Sequence, residues 1–177
     1  MDYAKLKKTT IRGARIKKII AFIEQYYYIK GTPTLVLEDL GLSPEKQAEW
    51  EIEFYTTQKC CRVLSEYINS NFETSKYDEE EFSKKIFSGA KIVSFLEFLD
   101  FSISVSENEI NNLKNNGIRL FLNQRYTNLL LLQAQIEIDV YKEMKHWIIY
   151  GASNSRNTEL MEQQWIEDLA KRIHSED

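Results

Sequence analysis

The side chains best suited to binding chemistry in this sequence are basic residues near its start and asparagines in its second half. Residues 1–18 hold seven basic side chains against one acidic side chain, whereas the other residues hold 16 basic and 26 acidic ones. A basic segment on an acidic chain is typical of proteins with an anionic partner. Asparagine can form two hydrogen bonds with adenine in the major groove of DNA. The predicted nucleic-acid-binding residues are Lys5, Lys7, Lys8, Arg12, Arg15, Lys17, Lys18, Asn108, Asn111, Asn112 and Lys114.

The basic segment has a second interpretation, in which it is a solubilising tail that docks on the acidic surface of the protein itself. The charge pattern fits both interpretations equally well. We expect residues 1–13 to form a basic N-terminal arm in either case, because a helical pattern of apolar residues begins only at Ala14.

Residues suited to catalysis or metal binding are scarce. Glu143 and His146 have the spacing that carboxylate-bridged dimetal bundles use, but such sites need two of these pairs and two further glutamates. Histidine occurs only twice in the chain, so an exposed histidine on a helix face is the favoured interpretation. The sequence contains no phosphate loop, dinucleotide-binding glycine motif or nucleophile elbow. We therefore predict a protein that is not an enzyme and holds no metal or cofactor.

The two cysteines, Cys60 and Cys61, are adjacent in the chain. Adjacent cysteines rarely form a disulfide, because the loop between them is too tight for relaxed geometry. Two free thiols indicate a reducing compartment, and the start of the chain shows no apolar run typical of a signal peptide. The prediction is a cytoplasmic protein.

Apolar residues recur three or four positions apart almost throughout the chain, and only two prolines and six glycines interrupt it. This pattern predicts an all-α fold of about seven to eight helices around a long central helix at 126–150. Charged residues break the apolar content of that helix, so a membrane span is not expected. The central stripe is predicted to comprise Leu129, Leu132, Ile136, Val140, Met144 and Trp147, and to be widened by Leu130, Ala134, Ile138, Tyr141 and Ile148.

Residues 14–177 are predicted to form one domain with several punctuated helices. Ser43-Pro44 has the pattern of an N-cap followed by proline in the first turn. Residues 102–105 are predicted to be a turn or short extended piece, and Ser106 to open a new helix through a capping box. Further helices are expected at 34–40 and 158–174.

Residues 17–29 resemble residues 90–103, and each segment is followed about forty residues later by another amphipathic helix. One interpretation is a domain of two related halves, at about 14–72 and 78–150. The other, which we favour at this stage, is that two amphipathic helices simply look alike.

Two stretches have the pattern of a helix-turn-helix unit. In the first, Gly41 and Ser43 provide the turn and Trp50 lies in the second helix; in the second, Ser106 opens a helix that carries Ile110 and Leu113. The second helix of the first unit is acidic, which disfavours contact with phosphates.

The stretch KGTPTLVLEDLGLSPEKQAEWE, residues 30–51, resembles the DNA-recognition domain of phage terminase small subunits. The matching residues are Gly31, Pro33, Thr34, Leu40, Gly41, Ser43 and Trp50. The resemblance implies a small, helical, oligomeric protein that binds viral DNA for packaging and has no catalytic site of its own.

The leading hypothesis is therefore a nucleic-acid-binding helical protein, with DNA as its partner and a role of the phage-packaging type. The alternative is a protein–protein interaction module, such as a virion connector, adaptor or immunity-like protein. Either function is compatible with a homo-oligomer or with a different protein partner.

Overall fold

The structure, a computed structural model, describes residues 3–30, 42–116 and 123–150. In chain order these residues form α1 (Ala4–Lys7), β1 (Thr10–Arg12), α2 (Gly13–Lys30), α3 (Pro44–Phe72), a 3-10 turn (Thr74–Lys76), α4 (Glu79–Lys84), β2 (Ile86–Ser88), α5 (Gly89–Asn116) and α6 (Gln124–Tyr150). The two strands pair antiparallel, and helices make up nearly everything else. The predicted all-α class is confirmed.

The number of helices differs from the prediction, because the described residues form six α-helices rather than seven to eight. The predicted break at 102–105 is absent: α5 runs without interruption from Gly89 to Asn116. Two further predicted helices, at 34–40 and 158–174, lie outside the described residues.

Two helices begin at a capping side chain, and the cap at Ser43 was expected from the sequence. The Ser43 side chain accepts a hydrogen bond from the Lys46 backbone N–H, and Pro44 occupies the first turn of α3. Asp78 caps α4 in the same way by accepting from the backbone N–H groups of Glu80 and Glu81. Such caps satisfy amides that have no partner within the helix.

Residues 3–13 are an integral part of the fold, so the predicted arm at 1–13 is wrong for the part that the structure describes. Tyr3, Leu6 and Ile11 are buried, and these residues form α1 and β1. The sequence does not reveal these elements, because the three buried side chains are scattered among basic ones. A three-residue strand is also too short to show the alternation of apolar and polar residues that identifies a strand.

The described residues fall into two halves with the same order of elements. Each half has a short helix, a short strand and two long helices, and the strands and the first long helices begin 76 residues apart, at Thr10 and Ile86 and at Gly13 and Gly89. Ile11 pairs with Phe87 at the centre of the ribbon. The resemblance seen in the sequence is therefore structural, but its register was wrong by three residues, because the strands and their glycines were not recognised.

The two halves are joined by reciprocal hydrogen bonds at Gly13 and Gly89, in which each half donates to the other. The Gly13 N–H donates to the Lys85 carbonyl at 2.7 Å, and the Gly89 N–H donates to the Thr9 carbonyl at 2.8 Å. A Cβ atom at position 13 would overlap the Phe82 carbonyl, and one at position 89 would overlap the carbonyl of Leu6. Only glycine permits this approach of one half to the other.

A second pair of reciprocal contacts between the halves lies at the C-terminal ends of α3 and α6. Arg15, in the first half, donates to the Ile148 carbonyl at 2.9 Å, and its guanidinium lies 5.2 Å from the centre of the Trp147 ring. Lys91, which occupies the same position in the second half, donates to the Asn71 carbonyl at 2.6 Å. A cation is favoured at a helix C-terminus because it complements the helix dipole.

Helix α6 packs against both α5 and α3, as expected of the predicted central helix. Its buried face is centred on the residues predicted to widen the stripe. Ala134, Ile138, Tyr141 and Ile148 are buried, as are Val140 and Met144, because α6 is covered by helices on two sides. Leu129, Leu132, Ile136 and Trp147 are only half-buried.

Candidate nucleic-acid interface

The predicted second helix-turn-helix unit does not form, because its helices are parts of α5. Ser106, expected to cap a new helix, lies in the middle of α5 and is 1% exposed. Its hydroxyl donates to the Glu137 carboxylate at 2.8 Å. Helical backbone at this position excludes the extended conformation that an N-cap needs.

Only part of the first predicted unit is described. Its first helix, predicted at 34–40, and Gly41 of its turn lie outside the described residues. Trp50 on α3 is 39% exposed. The acidic residues near it, Glu51 and Glu53, are exposed too, so the first turns of α3 present a negative surface.

The seven basic residues at the start of the chain fall into three environments. Lys5, Lys7, Lys8, Arg12 and Lys18 are exposed, Lys17 is half-buried and Arg15 is buried.

Arg15 and Lys17 are used by the fold itself. The Arg15 side chain holds the end of α6 through the Ile148 carbonyl, so it is not placed for DNA. Lys17 forms an ion pair with Glu79 at 2.5 Å, and the hydrogen bond to that carboxylate raises the pKa of Lys17. For these two residues, predicted nucleic-acid contact is replaced by contact within the protein.

The exposed lysines of α1 lie along α5. Helix α1 is held there by the Tyr3 hydroxyl, which donates to Asp100 at 2.7 Å, and by the ion pair of Lys7 and Glu97 at 3.8 Å. Both partners of that ion pair are about half exposed. Exposed pairs stabilise a fold by about 1 kcal/mol or less, so Lys7 can exchange Glu97 for another anion at small cost.

The predicted asparagines continue the same face of α5 beyond α1. One stripe along the helix is formed by residues spaced seven, four, three and four positions apart. These residues are Glu97, Ser104, Asn108, Asn111 and Asn115. The stripe is roughly 27 Å long at 1.5 Å per residue. Asn108 and Asn111 lie on this stripe and Asn112 lies beside it, whereas Lys114 lies about 100° around the helix from it. All four residues are exposed. The structure thus brings the α1 lysines and the asparagines to one side of a single helix.

Two exposed apolar side chains on this surface were not singled out from the sequence. Phe101 is 67% exposed and Val105 is 48% exposed, and they lie one helical turn apart. The signal was present in principle: in a continuous helix they fall off the buried stripe formed by Ile92, Leu96 and Leu99. The false break at 102–105 concealed it.

Of the remaining candidate residues, His146 is buried and Glu143 is half-buried. His146 is 4% exposed, not on the surface as expected, and no described residue hydrogen-bonds its Nδ1 atom. Burial lowers its pKa. Glu143 and His146 have no third acidic, histidine or cysteine side chain near enough to form a metal site among the described residues.

Cys60 and Cys61 are both buried and free, as predicted. Burial raises the pKa of Cys60 to about 11 and that of Cys61 to about 12. Because the thiolate is the nucleophile, both side chains are inert thiols near neutral pH.

No protein-family model, curated protein or solved structure matches this chain significantly. None of the described helices is both long enough and apolar enough to cross a membrane.

Proposed function

We propose that this protein is a non-enzymatic nucleic-acid-binding protein that contacts duplex DNA through α1 and the exposed stripe of α5. The observation that supports the proposal is the alignment of the α1 lysines with the asparagines along one face of α5. Lysines supply the contacts to phosphates that position a protein on DNA. Asparagines supply hydrogen bonds to base edges, and the major groove is wide enough to accept an α-helix.

The resemblance of residues 30–51 to phage terminase small subunits extends the proposal to DNA packaging by a cytoplasmic homo-oligomer. That extension depends on the sequence resemblance alone, whereas the DNA contact proposed here depends on α1 and α5. The two parts are therefore separable.

Substitutions of the α5 asparagines and of the α1 lysines distinguish base recognition from the phosphate contacts that position the protein on DNA. Replacing Asn111 and Asn112 by alanine should reduce preference among duplex sequences, since one good bidentate pair supplies about 1–3 kcal/mol of discrimination. Replacing Lys5 and Lys8 by glutamine should weaken binding to all sequences alike. Asn128→Ala, an exposed asparagine on α6, is the control. Equal binding by every variant would place any DNA contact elsewhere.

The second candidate function is a protein-interaction module, and exposed Phe101 and Val105 favour it. Adjacent exposed apolar side chains are typical of protein-binding surfaces. In that case Phe101→Asp should abolish capture of the partner, while the lysine substitutions should change only its salt dependence.

A further inference from the structure

A groove with a volume of about 380 Å³ lies between α2 and α3, away from the α1–α5 surface. It is lined by Tyr27, Tyr55, Gln58, Lys59 and Arg62. Its volume falls at the lower end of the range for small-molecule sites, about 300–1,000 Å³. Sequence reasoning did not identify this group, because its members come from two helices and show no common motif.

The second half of the protein shows that an open groove is not required by the fold. With the offset of 76 residues that relates the first long helices of the two halves, Tyr27 corresponds to Ile103. Ile103 is 8% exposed, so the second half packs this position into its core. Asn71 and Ile148, whose carbonyls accept from Lys91 and Arg15, relate α3 to α6 by 77 residues, so Arg62 corresponds to Asp139, which is exposed. Tyr27 is 37% exposed and Arg62 is exposed. The first half thus has an exposed aromatic residue where the second half has a buried aliphatic one, and a basic residue where the second half has an acidic one.

The lining side chains fit a planar ring that carries a negative charge. Tyr55 is 60% exposed, which leaves its ring accessible for stacking. Lys59 is anchored at the groove by its ion pair with Glu137 at 2.9 Å, and the hydrogen bond to that carboxylate raises the pKa of Lys59. Arg62 forms no ion pair with the described residues, so its guanidinium can bind phosphate oxygens through two parallel hydrogen bonds.

We propose that this groove binds a single unpaired nucleotide, with its base stacked on Tyr55 and its phosphate bound by Arg62. Aromatic stacking combined with basic side chains is how proteins bind single-stranded nucleic acids without reading their sequence. The amide of Gln58 can donate to or accept from a base edge. A free nucleotide and a nucleotide within a single strand present the same chemistry to these side chains.

This proposal shares its ligand class with the proposed function but involves different helices. Duplex binding through α1 and α5 and nucleotide binding between α2 and α3 can therefore succeed or fail separately. The Lys5→Gln/Lys8→Gln variant reports on the first surface, and groove variants report on the second.

The test is a set of binding titrations on the full-length protein with three probes: adenosine monophosphate, a single-stranded hexanucleotide and inorganic phosphate. Tyr55→Ala should weaken binding of the hexanucleotide about 5- to 150-fold, the range given by loss of one base–aromatic stack. Tyr55→Phe should bind like the wild type, because it keeps the ring. Arg62→Glu should abolish binding, and Tyr126→Ala, which removes another exposed tyrosine, should have no effect.

Binding of both nucleotide probes, lost in Tyr55→Ala, would identify the ligand as a nucleotide from either source. Binding of the hexanucleotide alone would identify it as a single strand. The proposal is overturned if inorganic phosphate binds as tightly as the nucleotides, because the rings would then contribute nothing. It is also overturned if neither nucleotide probe binds, or if Tyr55→Ala and Arg62→Glu bind as the wild type does.

Discussion

Ile11 pairs with Phe87 across the two-stranded ribbon, and the two residues hold the same position in the two halves of the chain. A residue that pairs with its own counterpart marks the local two-fold axis between the halves. The short helix of each half packs on the first long helix of the other half. Each half therefore completes the core of the other, and the strand ribbon joins them.

The two glycines beside this ribbon should tolerate no side chain. We expect Gly13→Ala and Gly89→Ala each to destabilise the protein by at least about 1–3 kcal/mol, the usual cost of overpacking, since each Cβ would overlap a backbone carbonyl. Urea denaturation followed by circular dichroism measures the change. Ser94→Ala, at an exposed position of α5, is the control, and glycine variants as stable as this control would refute the close approach.

Residues 3–12 should be needed for stability and not only for binding. Leu6 is fully buried, so Leu6→Ala should lower the free energy of unfolding by about 2–5 kcal/mol. Lys5→Gln, beside it on the exposed face of α1, should change stability by less than about 0.5 kcal/mol. If deletion of residues 1–12 leaves the denaturation midpoint unchanged, the segment is an arm after all.

Acidification should destabilise the protein through His146. Burial lowers the pKa of His146 below its ordinary value of 6.5, so the unfolded state binds its proton at a higher pH than the folded state does. The contribution of neutral His146 to stability is therefore fully present above about pH 6.5. It decreases as the pH falls towards the pKa of His146 in the folded state. Denaturation of the wild type and of His146→Phe at several pH values measures the difference. His174 remains in both proteins, so a slope equal in both would exclude His146 as the cause.

The buried cysteines should react slowly with a maleimide near neutral pH. The pKa values of about 11 and about 12 for Cys60 and Cys61 leave almost no thiolate, and burial blocks access. Labelling of both thiols should become rapid in denaturant, as mass spectrometry would record. Rapid labelling of the native protein would instead mean that α3 opens readily at these positions.

The helices of this protein could be predicted from its sequence because their signals are local. Ser43 caps a helix through its own neighbours, and apolar spacing identifies α2, α3 and α6. The strand ribbon could not be predicted, since Ile11 and Phe87 acquire their partners only across the fold. The break assigned at Ser106 was wrong for a related reason. A serine three residues before a glutamate is a local capping signal, whereas the actual partner of Ser106, Glu137, lies 31 residues away in the chain.

The candidate site was predictable in part. The exposed lysines of α1 and the asparagines of α5 were identified by residue type, but their alignment along one helix needed the packing of α1 on α5. Arg15 could not be separated from the other basic residues by sequence, because its partner is the backbone carbonyl of Ile148. Tyr55 and Arg62 were missed because the groove that they line also needs Tyr27 from another helix, and no local motif links the three residues.

The salt dependence of duplex DNA binding tests the central claim most directly. Each phosphate neutralised by a lysine or arginine lowers the slope of log affinity against log salt by about 0.9. We expect the wild type to bind duplex DNA at low salt with a slope of roughly −3 to −4. Replacing Lys5, Lys7 and Lys8 by glutamine, three exposed lysines in and next to α1, should flatten that slope by about two to three on the same rule. Fluorescence anisotropy titrations across a salt series measure both slopes. Absence of binding at the lowest salt, or equal slopes for the two proteins, would contradict the proposed DNA interface.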